Sequence, residues 1–594
     1  MSSSTLTSPE EKLGMETRET TVNSTSRLPS RIPSPLPQLK GRSTLSAVII
    51  VITATSAMII NNANTTAMSI ALPTMQKEWN LGPSQLQWPV SAYSLSSGCL
   101  YLVLGRLADL YGRKKIFCAG CLMMSVFSLA CGFAPNILAL DILRAFQGVG
   151  AAAAIPAAIG ILAHSFPPSR ARSLAFATFA AGAPIGAAIG TTAGGVLTQF
   201  TSKTWRSSFY LITAVTVLCF VGGLVYFDKD VPSGEVDKRV DWIGVLLVTA
   251  GLVLIVFVLG DGEFAPKAWR TPYIIICIVL GIVFLAMFIY WQYHLEKVQA
   301  TPGAPYSLLT PPPLMKLSLW TRGNGRFSAM MVIAFMTWSA FISWTFWVQL
   351  YYQDFEDYTP ILVVIRLLPM FVSGIVCNLF VGFMAARVPV VFLLSSGAFC
   401  TAIGCLLFAV IDPSTTYWAF GFPASVVAVV GADFVFAAGT LFISRIALPH
   451  EQSVAGGLFS TMTQLGTAFG VTVTTIVSNS VSARKNEVGG IVMYRTAQWT
   501  AFAFGIVATL VGIVFFRGVG VVGVHVRKDA ISRSTNGTDE EKGRSGAEVA
   551  VNEKQHVDAS VRTSEEDGPE TPETIVIEAF ADKDRDADKS GVAF

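Results

Sequence analysis

Two charged side chains interrupt apolar runs long enough to cross a bilayer, and they define the chemistry open to this chain. Arg144 lies in Asp141-Ile-Leu-Arg144-Ala-Phe-Gln147-Gly148-Val-Gly150, roughly 9 Å below one end of its run at 1.5 Å per residue. Holding an arginine at that depth costs about 2.5 to 3.5 kcal/mol on insertion scales, so it calls for a wet cavity or a partner. Asp141 and Gln147, three residues to either side, share its helical face, and a purely structural Arg144–Asp141 pair is the plainer alternative. Asp433, in VVGADFVFAAG, is placed about 22 Å along its run, deeper than half-way. A carboxyl there either loads and releases a proton or serves only as a hydrogen-bond acceptor for a neighbouring helix. Asn61 and Asn64 share one face of the first run; they can bind through hydrogen bonds, but an amide cannot carry a proton.

Other chemistries find little support. No G-x-x-x-x-G-K-[ST] phosphate loop is present, which argues against an ATP-driven pump. His164, His294, His450, His525 and His556 are scattered without metal-ligand spacing, so neither a metal nor a cofactor is expected. No loop is long enough for a catalytic domain, so an enzyme is not expected. A channel would need a filter or a ring of charges, and neither is visible.

The elements that must position these residues follow from composition. Of 594 residues, 52% are hydrophobic and 14% charged, and the mean hydropathy is +0.55. A soluble domain is about a quarter charged, so this is an all-α polytopic membrane protein. Its net charge of +3 is too small for its size to suggest a nucleic-acid partner. The nine cysteines sit in or beside apolar runs and read as small core residues without a disulfide framework. About fourteen apolar runs lie between residues 46 and 517, and an even number leaves both tails on one side. Arg106, Arg113, Lys114, Lys115, Arg170, Arg172, Lys229, Lys238, Arg239, Lys297, Lys316, Arg322, Arg326, Arg387 and Arg445 gather on that side, against Lys77, Lys203, Arg206, Lys267, Arg270, Arg484, Lys485 and Arg495 on the other, so both termini are expected to be cytosolic. The sequons at Asn23, Asn64 and Asn536 then fall in cytosol or membrane and are not expected to be glycosylated.

A third feature is the charged run GRLADLYGRKKIF, Gly105 to Phe117, wedged between the second and third apolar runs. It reads as a tight loop outside the lipid, with Gly105 and Gly112 admitting close backbones and Asp109 and Arg113 free to pair with helix ends. A basic loop with no further role is the alternative. The spacing G-x-L-A-D-x-x-G-R-K-K resembles the loop between the second and third helices of the major facilitator superfamily. Arg144-Ala-Phe-Gln147-Gly148 resembles the R-x-x-Q-G motif of facilitator antiporters, and Trp205-Arg206 with Phe209 resembles the family's W-R-x-x-F. Gly182, Gly186, Gly190 and Gly194, followed by Gly195, form a stripe where another backbone must approach. Residues 186 to 195 are similar to the antiporter motif G-x-x-x-G-P-x-x-G-G, but Thr191 stands at the proline position, and Pro184 lies about two turns earlier. Gly466 and Gly470 repeat the stripe in the thirteenth run.

Together these residues resemble the fourteen-helix drug:proton antiporter branch, and more narrowly fungal efflux transporters, over roughly residues 45 to 517. The resemblance implies a major facilitator fold of two six-helix bundles plus an inserted helix pair. The expected divisions are a disordered cytosolic tail (1–44), an N-terminal bundle (45–228), the inserted pair with a cytosolic loop (229–326), a C-terminal bundle (327–517) and a second disordered tail (518–594). It further implies a monomer in the plasma membrane that exports a small amphipathic or apolar molecule, such as a drug, secondary metabolite or secreted glycolipid. Protons would be the coupling ion and the lipid bilayer the other partner. Trp338, Trp344 and Trp347 would offer aromatic surface to such a substrate, with packing as the alternative. Many such antiporters carry an aspartate seven residues before the A-L-P of the first span; here that position is Asn64. The same fold importing a nutrient or siderophore is the competing reading.

Overall fold

In lipid every backbone N–H and C=O must be satisfied within the chain, so long apolar runs fold as helices. The structure, a computed structural model, describes residues 44–80, 88–167, 169–230, 237–262, 265–301, 307, 310–485 and 490–521. The readings made for the two tails, including Asn23, Asn536, His525 and His556, lie outside the described residues. Those described belong to the first of two units, residues 1–524 and 525–594.

Fourteen long helices run through the described residues: α1 (Thr44–Trp79), α2 (Trp88–Tyr111), α3 (Arg113–Cys131), α4 (Ile137–Ser165), α5 (Arg170–Phe200), α6 (Arg206–Tyr226), α7 (Trp242–Asp261), α8 (Pro272–Ala300), α9 (Arg326–Leu350), α10 (Pro360–Met384), α11 (Val390–Ala409), α12 (Gly421–Ile446), α13 (Gln452–Lys485) and α14 (Ile491–Phe515). Twelve are long and apolar enough to cross a membrane. The two that fall short are α2, which carries Arg106 and Asp109, and α13, rich in Ser, Thr and Gly. These two pack on each other, which screens their polar side chains from lipid.

The packing repeats itself. In the first six helices α1 lies on α5 and α6, α2 on α4, and α3 on α4 and α6. In the last six α9 lies on α13 and α14, α10 on α12, and α11 on α12 and α14. Helix n of the first set therefore corresponds to helix n + 8 of the second. The two sets meet through α2 on α13 and α5 on α10, which are counterparts under the same rule. Helices α7 and α8 pair with each other outside this scheme. At the end of α7 remote from Arg113, Phe257 stacks on Trp88 of α2 with ring centroids 5.9 Å apart, and Leu259 O accepts from Thr472 Oγ1 of α13 at 2.7 Å. The inserted pair thus touches both sets.

The small-residue stripes sit where backbones meet. A Cβ on Gly186 or Gly190 would collide with Ile59 O or Ala63 O of α1, and one on Gly194 would lie 2.8 Å from Ala67 Cα. Gly182 faces Thr55 and Met58, while Gly195 lies off the stripe, with only Ile70 nearby at 3.8 Å. In the second set Gly466 and Gly470 press on Phe335 O and Ser339 O of α9, and Ser339 Oγ donates to Gly466 O at 3.0 Å.

One expectation is corrected. Gly105 to Tyr111 is not loop: α2 continues through it, and Gly112 alone separates α2 from α3. Its φ of +118° is open to glycine rather than to side-chain-bearing residues.

Candidate functional site

Three polar constellations stand out, and the first closes one end of the molecule, here termed the basic face. Asp109, buried near the end of α2, accepts through Oδ2 from Ser453 N and Val454 N at 2.9 Å each, buried donors in the first turn of α13. Its Oδ1 accepts from Arg113 Nε at 3.0 Å and Nη2 at 2.8 Å. Arg113 also donates to Gly160 O at 3.1 Å and to Pro449 O. A carboxylate on a helix N-terminus and a guanidinium on backbone carbonyls each complement the local dipole. Gly105 allows this approach, since a Cβ there would lie 2.6 Å from Ser453 O. Asp230 caps α3, accepting from Lys114 N at 2.8 Å and Lys115 N at 3.1 Å. Arg172, expected among solvated loop charges, is instead buried and donates to Ser444 O of α12 at 2.8 Å. Glu451, just before α13, receives Arg322 at 2.8 Å and Lys316 at 3.4 Å. Burial pushes its carboxyl up, but Arg322, Lys316 and His450 prevail and hold it below the usual range.

The second constellation belongs to the first six helices. Arg144, about 10 Å from the Ile137 end of α4, is fully buried. Its Nε donates to Pro89 O and its Nη1 to Gln147 Oε1, both at 2.8 Å, and its guanidinium lies 4.6 Å from the centroid of Tyr93. Tyr93 donates in turn to Asn61 Oδ1 at 2.7 Å. Arg144, Gln147 and Asn61 therefore come together through Tyr93. Asp141 does not join them: its Oδ1 is buried without a partner, and no Arg144–Asp141 ion pair exists among the described residues. Arg144 Nη2 and Gln147 Nε2 are likewise unpaired. Asn64 lies beside the same Tyr93 and also borders a void of about 10 Å³ that Trp205, Ser208 and Phe209 line.

The third lies in the last six helices. Asp433 is about 18 Å from the Gly421 end of α12, near the middle of its 26 residues. The sequence-based depth counted from residue 418 and so overshot. Asn378 of α10 donates to Asp433 Oδ1 at 2.8 Å, while Asp433 Oδ2 and Asn378 Oδ1 are buried and unpaired. Oδ2 points at the junction with α5, because a Cβ on Gly374 would lie 2.6 Å from it and 2.9 Å from Pro184 Cβ.

The tryptophans divide. Trp344 is fully buried, edge-on to Phe408 at 5.9 Å, and Trp347 is buried with Nε1 donating to Thr474 at 3.0 Å. Neither offers free surface, which corrects the expectation for Trp344. Trp338 is half-buried beside Phe436, 5.8 Å away, and Phe436 also meets Phe179 of α5 at 6.3 Å. Sequence reasoning passed over Asn378 and Arg366. The Arg366 guanidinium lies 4.1 Å from Tyr358, 5.2 Å from Tyr417 and 5.3 Å from Tyr352; an arginine six residues into the tenth run was a signal available to find it.

Comparison with known proteins fits this arrangement. The family model of the Major Facilitator Superfamily matches residues 54–260 and 237–471, and the chain belongs to that superfamily of transporters. It is 28% identical over 470 residues to the efflux pump terJ of Aspergillus terreus, covering 76% of this chain and 85% of that one. It is 30% identical over 419 residues to a low affinity ammonium transporter of Saccharomyces cerevisiae, covering 68% and 75%. Among solved structures, the human organic anion transporter MFSD10 aligns with a TM-score of 0.57 at 11% identity, over 78% of this chain and 99% of that one. The chain is therefore a multi-pass membrane protein with two six-helix bundles, α1–α6 and α9–α14, and an inserted pair.

Proposed function

We propose that the protein exports a small amphipathic or apolar molecule, a drug or secondary metabolite among the candidates, in exchange for protons. It works by alternating access between the bundles of residues 45–228 and 327–517. The observation that carries the reading is Asp433, a carboxyl buried at mid-helix and aimed at the α5–α10 seam between the bundles, with a neutral amide as its partner. An intramembrane acid free of a cationic partner at a moving interface is suited to taking up and releasing a proton as the interface opens and closes. Arg144, Gln147 and Asn61 are the polar side of the substrate cavity, and Trp338 with Phe436 its aromatic side. The basic face is cytosolic, as are both tails, and the clamp of Asp109, Arg113 and Arg172 holds that face shut in the state described. The likeness to an efflux pump supports export.

The test uses inside-out vesicles energised acid inside, with ethidium as probe and nigericin to collapse the gradient. Ethidium accumulation abolished by nigericin is the expected result. Import of a nutrient or siderophore by the same fold is the second reading, with ammonium as the first candidate because one relative is named as an ammonium transporter. Methylammonium uptake into intact cells, with no gradient-dependent ethidium movement, would establish it instead. Protease access to tags at residues 1 and 594 in intact cells would overturn the cytosolic assignment.

A further inference from the structure

We propose that Asn378 is the residue that lets Asp433 exchange its proton, accepting from the acid as well as donating to it while the α5–α10 seam is closed, and only donating to the carboxylate when it opens. The inference rests on the proton-antiport reading above.

An ionised carboxylate and a carboxamide oxygen are both acceptors. With Asp433 ionised, Asn378 Nδ2 has its two acceptors, Asp433 Oδ1 at 2.8 Å and Gly374 O at 2.9 Å. Two buried oxygens, Asp433 Oδ2 and Asn378 Oδ1, are then left without any donor. One proton on Asp433 Oδ2 converts it from acceptor to donor, and the acceptor such a donor requires is the oxygen that Asn378 leaves open. The closed state therefore suits the neutral acid. Buried polar groups this poorly satisfied are rare in native proteins and call for an explanation.

The position of the pair supplies the coupling. Asp433 Oδ2, Gly374 and Pro184 meet at one point of the seam, so parting α5 from α10 brings water to Oδ2. The proton enters from the opposite face, rides on Asp433 through closure, and leaves toward the basic face, with the carboxylate then held by the Asn378 N–H. Few other groups intervene. Cys377 of α10 is the titratable neighbour, with Cys400 of α11 behind it. From α5 comes Pro184, while Arg172 of that helix is engaged at Ser444 O. From α9 and α13 come Trp338 and Phe459, both on Phe436. No ion pair reaches Asp433 among the described residues.

Infrared difference spectroscopy of the full-length protein in lipid bilayers, titrated in pH without substrate, tests this. A carboxylic-acid carbonyl band that titrates in the wild type and vanishes in Asp433→Asn identifies the group. In Asn378→Ala the band should disappear at pH values lower by about one unit or more, because the closed-state acid has lost the acceptor for its O–H, and Cys377→Ser should leave it in place. Asn378→Asp, nearly the same size, guards against misfolding, and should titrate in two steps as paired carboxyls do. An Asp433 band that titrates identically with and without Asn378 overturns the pairing but leaves proton antiport standing. The absence of any band removed by Asp433→Asn overturns the proton role of Asp433, and this inference with it.

Discussion

The two bundles are built on one plan and differ at its centre. Helix α4 of the first and α12 of the second occupy corresponding places, each packed chiefly against the two helices before it in its own set. Yet α4 carries a guanidinium about 10 Å from its start and α12 a carboxyl about 18 Å from its own. A guanidinium presents five donors and keeps its charge; Arg144 gives one to Pro89 O and one to Gln147, leaves Nη2 unpaired and lies over Tyr93. A carboxyl can change charge, and Asp433 has an amide for company. The repeated packing supplies a common scaffold, which sets a guanidinium at the centre of one half and a carboxyl at the centre of the other.

The sharpest way to break this contrast is to remove the changeable charge. Asp433→Asn should reach the membrane normally and lose the pH-gradient dependence of efflux altogether, a change of at least about tenfold, since an amide takes up no proton. A variant that follows the gradient as the wild type does would make Asp433 structural and leave Asp141, with its unpaired Oδ1, as the carboxylate to examine. Arg144→Lys comes next. Lysine keeps the charge but cannot reproduce the planar donor set that spans Pro89 O and Gln147. Transport should fall roughly tenfold while its remaining pH dependence is unchanged. Loss of pH dependence in Arg144→Lys would mean that the two halves share the proton.

How much of this was legible in the sequence depends on whether a side chain is conspicuous. Arg144 and Asp433 announce themselves as charges within apolar runs, and the glycine stripe of α5 reads as a seam because four helix-weakening residues on one face require a close neighbour. Asn378 carries no such signal: an amide on a helix facing protein looks the same as one facing a wet cavity, and its value comes from α10 lying on α12. That Asn61 and Asn64 both meet Tyr93 likewise depends on neighbours, because only α1 lying beside α2 brings that ring to them. The Gly105–Phe117 run was misread as loop since charge was equated with solvent. There the charges are satisfied by the ends of α4 and α13, which lets α2 stay helical to Tyr111. The residue type of Trp344 fits a substrate surface or packing alike, and the second bundle buries it.

The clamp on the basic face crosses between the halves, so it tests their mechanical link apart from their central charges. Asp109→Asn keeps a carbonyl oxygen for Ser453 N or Val454 N but loses the ion pair with Arg113. A hydrogen bond to a charged group contributes about 1.5 to 3 kcal/mol, against about 1 for a neutral one. Weakening the closed state by that difference should lower transport by roughly three- to tenfold, with normal delivery and greater reactivity of a cysteine placed at Ser453. Equal losses of delivery and activity would mean that the clamp serves the fold alone.

The smallest effect separates what the halves share from what merely resembles it. Gly190 and Gly195 belong to one run of sequence, but Gly190 meets the α1 backbone at Ala63 while Gly195 has nothing nearer than Ile70 at 3.8 Å. Gly470 of the second bundle meets Ser339 of α9 as Gly190 meets α1. Overpacking such a seam costs about 1 to 3 kcal/mol, so Gly190→Ala and Gly470→Ala should each lower the thermal midpoint of the purified protein measurably. Gly195→Ala adds a methyl in ordinary van der Waals contact and removes a poor helix former, so its midpoint should stay level or rise slightly. If Gly195→Ala destabilises as much as Gly190→Ala, the stripe matters through helix flexibility, and the correspondence between the α1–α5 and α9–α13 seams loses its physical basis. If Gly190→Ala and Gly470→Ala differ widely, the two bundles are alike in layout but not in how tightly their seams are drawn.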